Sequence, residues 1–118
     1  MHALVVLWDL SAGSKSSIED LREYIRDESI ARFRQVVGLR QKTWISNPET
    51  QRWGAFYLFE RREQADDVVA HVNTGRVVQL TGLKPTIERF EVEAVIEGVH
   101  SGTDLLTTGL AVEPTRAR

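Results

Sequence analysis

The stretch Arg40–Glu60, RQKTWISNPETQRWGAFYLFE, restricts the possible folds more than any other part of this 118-residue chain. It reads as two strands joined by a turn at Asn47-Pro48-Glu49-Thr50. Pro48 fixes its own φ, and the Asn47 side chain suits bonding to the backbone just downstream. In the first strand Lys42, Trp44 and Ser46 share one face, while Gln41, Thr43, Ile45 and Asn47 share the other. In the second strand Trp53, Ala55, Tyr57 and Phe59 alternate with Gly54, Phe56 and Leu58. Both faces of this strand are apolar, so both need a cover. The chain's own helices plus a ligand are one source of cover, and a partner subunit is another.

The flanking sequence supplies the remaining elements. Residues 3–9, ALVVLWD, form an apolar run of strand length and β-branched content. After the loop SAGSKS, Ser16 is read as a helix cap, with Glu19 three residues on completing a capping box. Ile18, Leu21, Tyr24, Ile25 and Phe33 keep to one helical face. The stripe weakens at Asp27-Glu28-Ser29, where a kink or irregular turn is expected, and Gly38 closes the segment. Beyond the hairpin, Arg61–Asn73 places Ala65, Val68, Val69 and Val72 on one helical face, and Asn73-Thr74-Gly75 ends it. Arg76–Thr81 adds a short helical piece before Gly82. Thr86–Glu97, TIERFEVEAVIE, alternates as a strand with one greasy and one mostly charged face. The order β-α-β-β-α-β is that of the ferredoxin-like α+β fold. Residues 1–97 are read as one domain. Residues 98–118 are read as an extension that docks on a partner subunit or lies loose; it carries Leu105, Leu106, Leu110 and Val112 among Gly and Thr.

Composition removes several function classes. A net charge of -2, with Arg and Glu interspersed, leaves no footprint for nucleic acid. The chain has no cysteine, so thiolate nucleophiles and Cys-based metal sites are excluded. The opening MHALVVLWDL has no basic segment and is broken by Asp9, which argues against a signal peptide or membrane span and for a cytoplasmic protein. His2, His71 and His100 make no metal-ligand spacing with one another or with any carboxylate cluster. No phosphate loop, dinucleotide fingerprint or serine-nucleophile elbow is present.

Gly38-Leu39, Lys42-Thr43-Trp44 and Gly54-Ala55-Phe56-Tyr57-Leu58-Phe59 resemble the YdhR-like monooxygenases of the dimeric α/β-barrel superfamily, which includes the antibiotic-biosynthesis monooxygenases. The resemblance runs more weakly through His71 and Arg76 to Gly82 and spans residues 3–97. The chain departs from it at Val37, where superfamily members often have proline, and at Ser46, where relatives often have a carboxylate. The resemblance implies a homodimer whose two sheets face each other, and a pocket in each subunit between sheet and helices. It also implies a small cofactor-independent enzyme that oxygenates an aromatic or polyketide-like molecule. A cyclase or isomerase using the same pocket without dioxygen is an alternative. So is a ligand-binding or stress-response module without turnover, or an assembly domain whose aromatics fill a dimer interface.

Within that frame His71 and Tyr57 are the candidate catalytic residues. A neutral imidazole suits removal of a phenolic or activated C–H proton, and Tyr57 offers a hydroxyl on a rigid strand. Trp44, Trp53, Tyr24, Phe33 and Arg40 are the candidate substrate-binding residues: the aromatics stack on a planar ring, and the arginine meets a carboxylate or enolate. Trp8 is a weaker candidate for the same wall. Arg32, Arg76 and Arg89 are further possible anion partners, with surface ion pairing as the competing role.

Overall fold

Strand β1 (His2–Asp9) is one of two inner strands, and it pairs antiparallel on both sides. On one side lies β3 (Arg52–Phe59), with Leu4 opposite Tyr57 and Trp8 opposite Trp53. On the other lies β4 (Thr86–Glu91), with Val6 opposite Ile87. Strand β2 (Leu39–Asn47) forms the hairpin with β3 and sets Lys42 opposite Tyr57 and Trp44 opposite Ala55. The sheet order is β2-β3-β1-β4. This computed structural model describes residues 1–101 and 107–113. Leu105 and Leu106 of the extension lie outside the described residues.

The helices are α1 (Ile18–Tyr24), α2 (Ile30–Phe33), α3 (Arg62–Val72) and α4 (Arg76–Thr81). A π-helical turn, Ile25–Ser29, joins α1 to α2 where the sequence anticipates an irregularity, and Ile30 N–H donates to the Ile25 carbonyl five residues back. The elements follow the β-α-β-β-α-β order, so the fold is ferredoxin-like α+β.

The cap of α1 falls one residue later than the sequence suggests. Ser17 Oγ accepts from Asp20 N–H at 3.0 Å, and Asp20 Oδ2 accepts from Ser17 N–H at 2.9 Å. Ser16 is taken by another bond, donating its hydroxyl to the Leu80 carbonyl at 2.7 Å and tying the loop to α4. In the hairpin turn Asn47 Oδ1 accepts from the N–H groups of Glu49 and Thr50, as its turn chemistry predicts.

The last strand is shorter than its alternation implies. It ends at Glu91, not Glu97: its pairing with β1 runs from Thr86 to Glu91, which lies opposite His2, and is followed by one backbone bond from Val92 N–H to the Met1 carbonyl. Its charged face turns towards the helices. Arg89 Nε donates to Nε2 of the buried His2 at 3.1 Å, and Arg89 Nη2 meets Asp66 of α3 at 2.6 Å. Arg89 is thus an ion-pair arginine.

The two sheet faces differ in their cover. Leu4, Val6, Trp8, Trp53, Ala55, Tyr57 and Phe59 form one core with Ile18, Leu21, Ile25 and Ala65 of the helices. Val5, Leu7, Phe56 and Leu58 point the other way and take no part in that core. Ile45 and Phe90 flank them and are exposed. Part of the extension packs on its own chain: Arg26 donates to the Ala111 carbonyl, and Arg34 to Thr107 Oγ1.

Candidate functional site

A cavity of about 730 Å³ separates the inner face of β2 and β3 from the α1–α2 segment and α3. This is the size range of small-molecule sites. Strand alternation puts Trp53, Ala55 and Tyr57 of β3 and Lys42 and Trp44 of β2 on its floor. The helices add Tyr24, Phe33 and Arg32 on one side, and Val68, His71 and Val72 on the other. The aromatics are mutually ordered. Phe33 meets Trp44 edge-on at 6.2 Å and Tyr57 at 5.9 Å, and Tyr57 stacks on Phe59.

Of the residues singled out from the sequence, Trp44, Trp53, Tyr24, Phe33, Tyr57 and His71 all line this one cavity, and Trp8 joins them. Trp8 also has a structural bond, with its indole N–H donating to the Leu83 carbonyl at 3.0 Å. Arg40 is not among the lining residues. It sits at the bulge where the β2–β3 register shifts between Leu39 and Gln41, and it lines a second groove of about 580 Å³ with Arg34 and residues 107–112.

Tyr57 is buried, and its hydroxyl has no hydrogen-bond partner among the described residues. Burial raises its pKa, helped by the neighbouring Tyr24 and opposed in part by Arg32, so the phenol stays neutral and able to donate. Tyr24 is engaged, since its oxygen accepts from Arg32 Nη2 at 2.7 Å. His71 is exposed and stands at the rim. Its Nδ1 lies 2.7 Å from the Asp67 carbonyl, which can only accept, so Nδ1 carries the proton and Nε2 keeps its lone pair in the neutral ring.

Lys42 is the residue that the sequence reading placed but gave no role. Its Nζ lies 3.3 Å from the centre of the Phe33 ring and 4.6 Å from those of Trp44 and Tyr57. It is half-buried and lines both this cavity and the second groove. Loss of hydration holds its pKa well below the ordinary 10.5, and the positive charge of Arg32 adds to the effect. The native state therefore binds this proton less tightly than the unfolded chain does. The resulting stability cost is full below the depressed pKa and fades as pH rises towards 10.5. Lys42→Met should accordingly raise Tm at pH 6 by about 3–6 °C, roughly the shift that 1 kcal/mol gives a domain of this size. The gain should shrink at pH 9.5. A calorimetric scan at the two pH values checks this, and an unchanged or lower Tm at pH 6 would refute it.

Residues 12–102 match the family described as "Putative mono-oxygenase ydhR". The chain belongs to the ydhR family. Among solved structures, the NE2512 protein of unknown function from Nitrosomonas europaea superposes with a TM-score of 0.61 at 16% identity, covering 84% of this chain and 95% of the other. A monooxygenase from the gene ActVA-Orf6 of Streptomyces coelicolor, solved with the ligand nanaomycin D, gives 0.61 at 14% identity, covering 83% and 92%. A variant of SnoaB, a cofactor-independent oxygenase from Streptomyces nogalater, gives 0.57 at 10% identity, covering 82% and 97%. At these identities the likeness is one of fold. No curated protein matches the sequence.

The ydhR match covers the whole cavity wall contributed by α1, α2, β2, β3 and α3. Lys42 belongs to the Lys42-Thr43-Trp44 stretch that carries the resemblance, and its place on the face of Trp44 was the available signal. What strand periodicity omits is that Phe33, nine residues earlier and on a helix, folds over the ammonium. Among the described residues, no group of three His, Cys, Asp or Glu side chains could hold a metal ion, and no helix is long and apolar enough to cross a membrane.

Proposed function

We propose that this ydhR-family chain is a small enzyme that oxygenates an aromatic or polyketide-like substrate in the cavity under α1, α2 and α3, without a cofactor. The observation that carries the reading is His71 at the rim of an aromatic cavity, with Nδ1–H committed to Asp67 and a lone pair on Nε2. In the proposed reaction Nε2 takes a proton from a phenol or an activated ring CH₂. Trp44 and Trp53 hold the ring, and the neutral Tyr57 hydroxyl donates to the oxygen on which charge develops. The carbanion transfers electrons to dioxygen and couples with it. After reprotonation by His71 the hydroperoxide loses water, so one oxygen atom remains as a quinone carbonyl and the other leaves as water.

The family description and the oxygenase neighbours support this class of reaction. The uncovered apolar face of Val5, Leu7, Phe56 and Leu58 supports a homodimer in which two sheets meet. The test is a mass-spectrometric screen of planar phenols and anthrone-like ketones with the purified protein, in air, under ¹⁸O₂ and under argon. A product that gains one labelled oxygen only when dioxygen is present is expected, from protein that runs at twice 13.4 kDa by light scattering. Equal turnover under argon would replace the oxygenase by a cyclase or isomerase. Binding without turnover would leave a ligand-binding module.

A further inference from the structure

We infer that Lys42, with Arg32 beside it, forms an anion subsite in this cavity, and that the natural ligand is an aromatic acid whose carboxylate meets the Lys42 ammonium while its ring lies against Trp44 and Trp53. The inference rests on the reading that this cavity is the ligand site, and it adds the charge of the ligand to that reading.

The geometry gives the reason. Three aromatic rings surround the ammonium, and Nζ makes no hydrogen bond or ion pair with any described residue. Ring faces stabilise a cation, but they cannot accept three N–H donors as oxygens do. Arg32 compounds the imbalance. Its Cζ stands 5.3 Å from the same Phe33 ring, and its bond is to a neutral phenol, Tyr24, and not to a carboxylate. Asp67 is the only carboxylate on the cavity wall among the described residues, whereas Lys42, Arg32, Arg61 and Arg76 contribute four cations. Arg76 has its own partner, Glu28, at 3.8 Å. A wall with this excess of positive charge repels cationic ligands and is completed by an anion. A carboxylate fits better than a phenol as the entering group, since carboxyls ionise near pH 4 and phenols near pH 10. The acid therefore arrives charged, and the phenol is left to lose its proton in the reaction.

The test uses matched pairs that differ only in charge: 2-naphthoate against 2-naphthamide, and anthracene-2-carboxylate against its amide. Binding to the full chain is read under argon by quenching of tryptophan fluorescence, because Trp8, Trp44 and Trp53 all line the cavity. These ligands carry no phenol, so the result is independent of turnover. Each acid should bind at least about tenfold more tightly than its amide, as a charge-assisted hydrogen bond in a dry site would give. In Lys42→Met the preference should fall to within about twofold, with amide binding retained. Arg32→Gln, a change at an exposed side chain, should reduce the preference part of the way. Equal binding of acid and amide by the natural chain, or an undiminished preference in Lys42→Met, would overturn the anion subsite and leave the oxygenase reading standing. If neither member of either pair binds, the cavity reading fails and the subsite fails with it.

Discussion

Replacing His71 with alanine is expected to lower turnover by about 10²–10⁴-fold, the usual contribution of a positioned general base, with the fold intact. The two halves of this result have separate causes. His71 is exposed on α3, and among the described residues its side chain bonds only to a backbone carbonyl four residues back, so its removal should change stability by no more than about 0.5 kcal/mol. The other proposed catalytic residue cannot take over the proton transfer. Tyr57 is held in its neutral, donating form by burial and is a poor acceptor. Steady-state rates on the substrate found in the air and argon screen, together with a thermal melt, give both numbers. Unchanged turnover would remove His71 from the mechanism, and a collapsed melt would assign it to structure.

Gly54→Ala is expected to produce the largest loss of stability of any single methyl addition in the sheet. A Cβ at this position would stand 2.1 Å from the Val6 carbonyl oxygen and 2.7 Å from Leu7 Cδ2. The Leu7 methyl ends a flexible side chain and can turn aside, but the Val6 carbonyl cannot move far, because β1 is bonded to β3 on one side and β4 on the other. Relief requires the central strands to part, at about 3 kcal/mol or more, a large share of the roughly 5–15 kcal/mol that holds a domain together. Urea unfolding of the variant, with Gly98→Ala as the control, measures this; nothing lies within 4 Å of the added atom at Gly98. A midpoint equal to the control's would show that the strands yield easily. The first glycine of the Gly54–Phe59 stretch thus has a packing reason, namely the close approach of β1.

Alternation and turn chemistry carried most of the fold, since the side-chain period of a strand leaves few ways to arrange Trp53, Ala55, Tyr57 and Phe59. Those residues face the helices as a set, and Gly54, Phe56 and Leu58 face away. The misplacements came from partners distant in the chain. Ser16 is unavailable as a cap because Leu80 holds it, and β4 pairs with β1 only as far as Glu91, opposite His2. Arg40 shares a strand with Lys42 and Trp44, yet the bulge beside it takes it into another groove. The aromatic wall was legible because large rings on a strand face have few other places to go. Lys42 was not, because a charged residue on a strand ordinarily marks water, and only the helix folded over it changes its environment.

The π-helical turn has a consequence for how the two halves of that helix work as one. Eight residues of regular α-helix would leave Arg32 about 80° around the axis from Tyr24. The turn absorbs one residue, and the remaining seven steps bring the pair to within about 20°, which is what lets the guanidinium reach the phenol at 2.7 Å. The extra residue behaves as a phase shifter: it turns everything after Ser29 by about a quarter of a revolution, and with it both Arg32 and Phe33. The lid of the Lys42 cage is therefore aimed by chain length as much as by residue identity. Two helices with the same side chains and one residue fewer between them would present a different roof to the same floor.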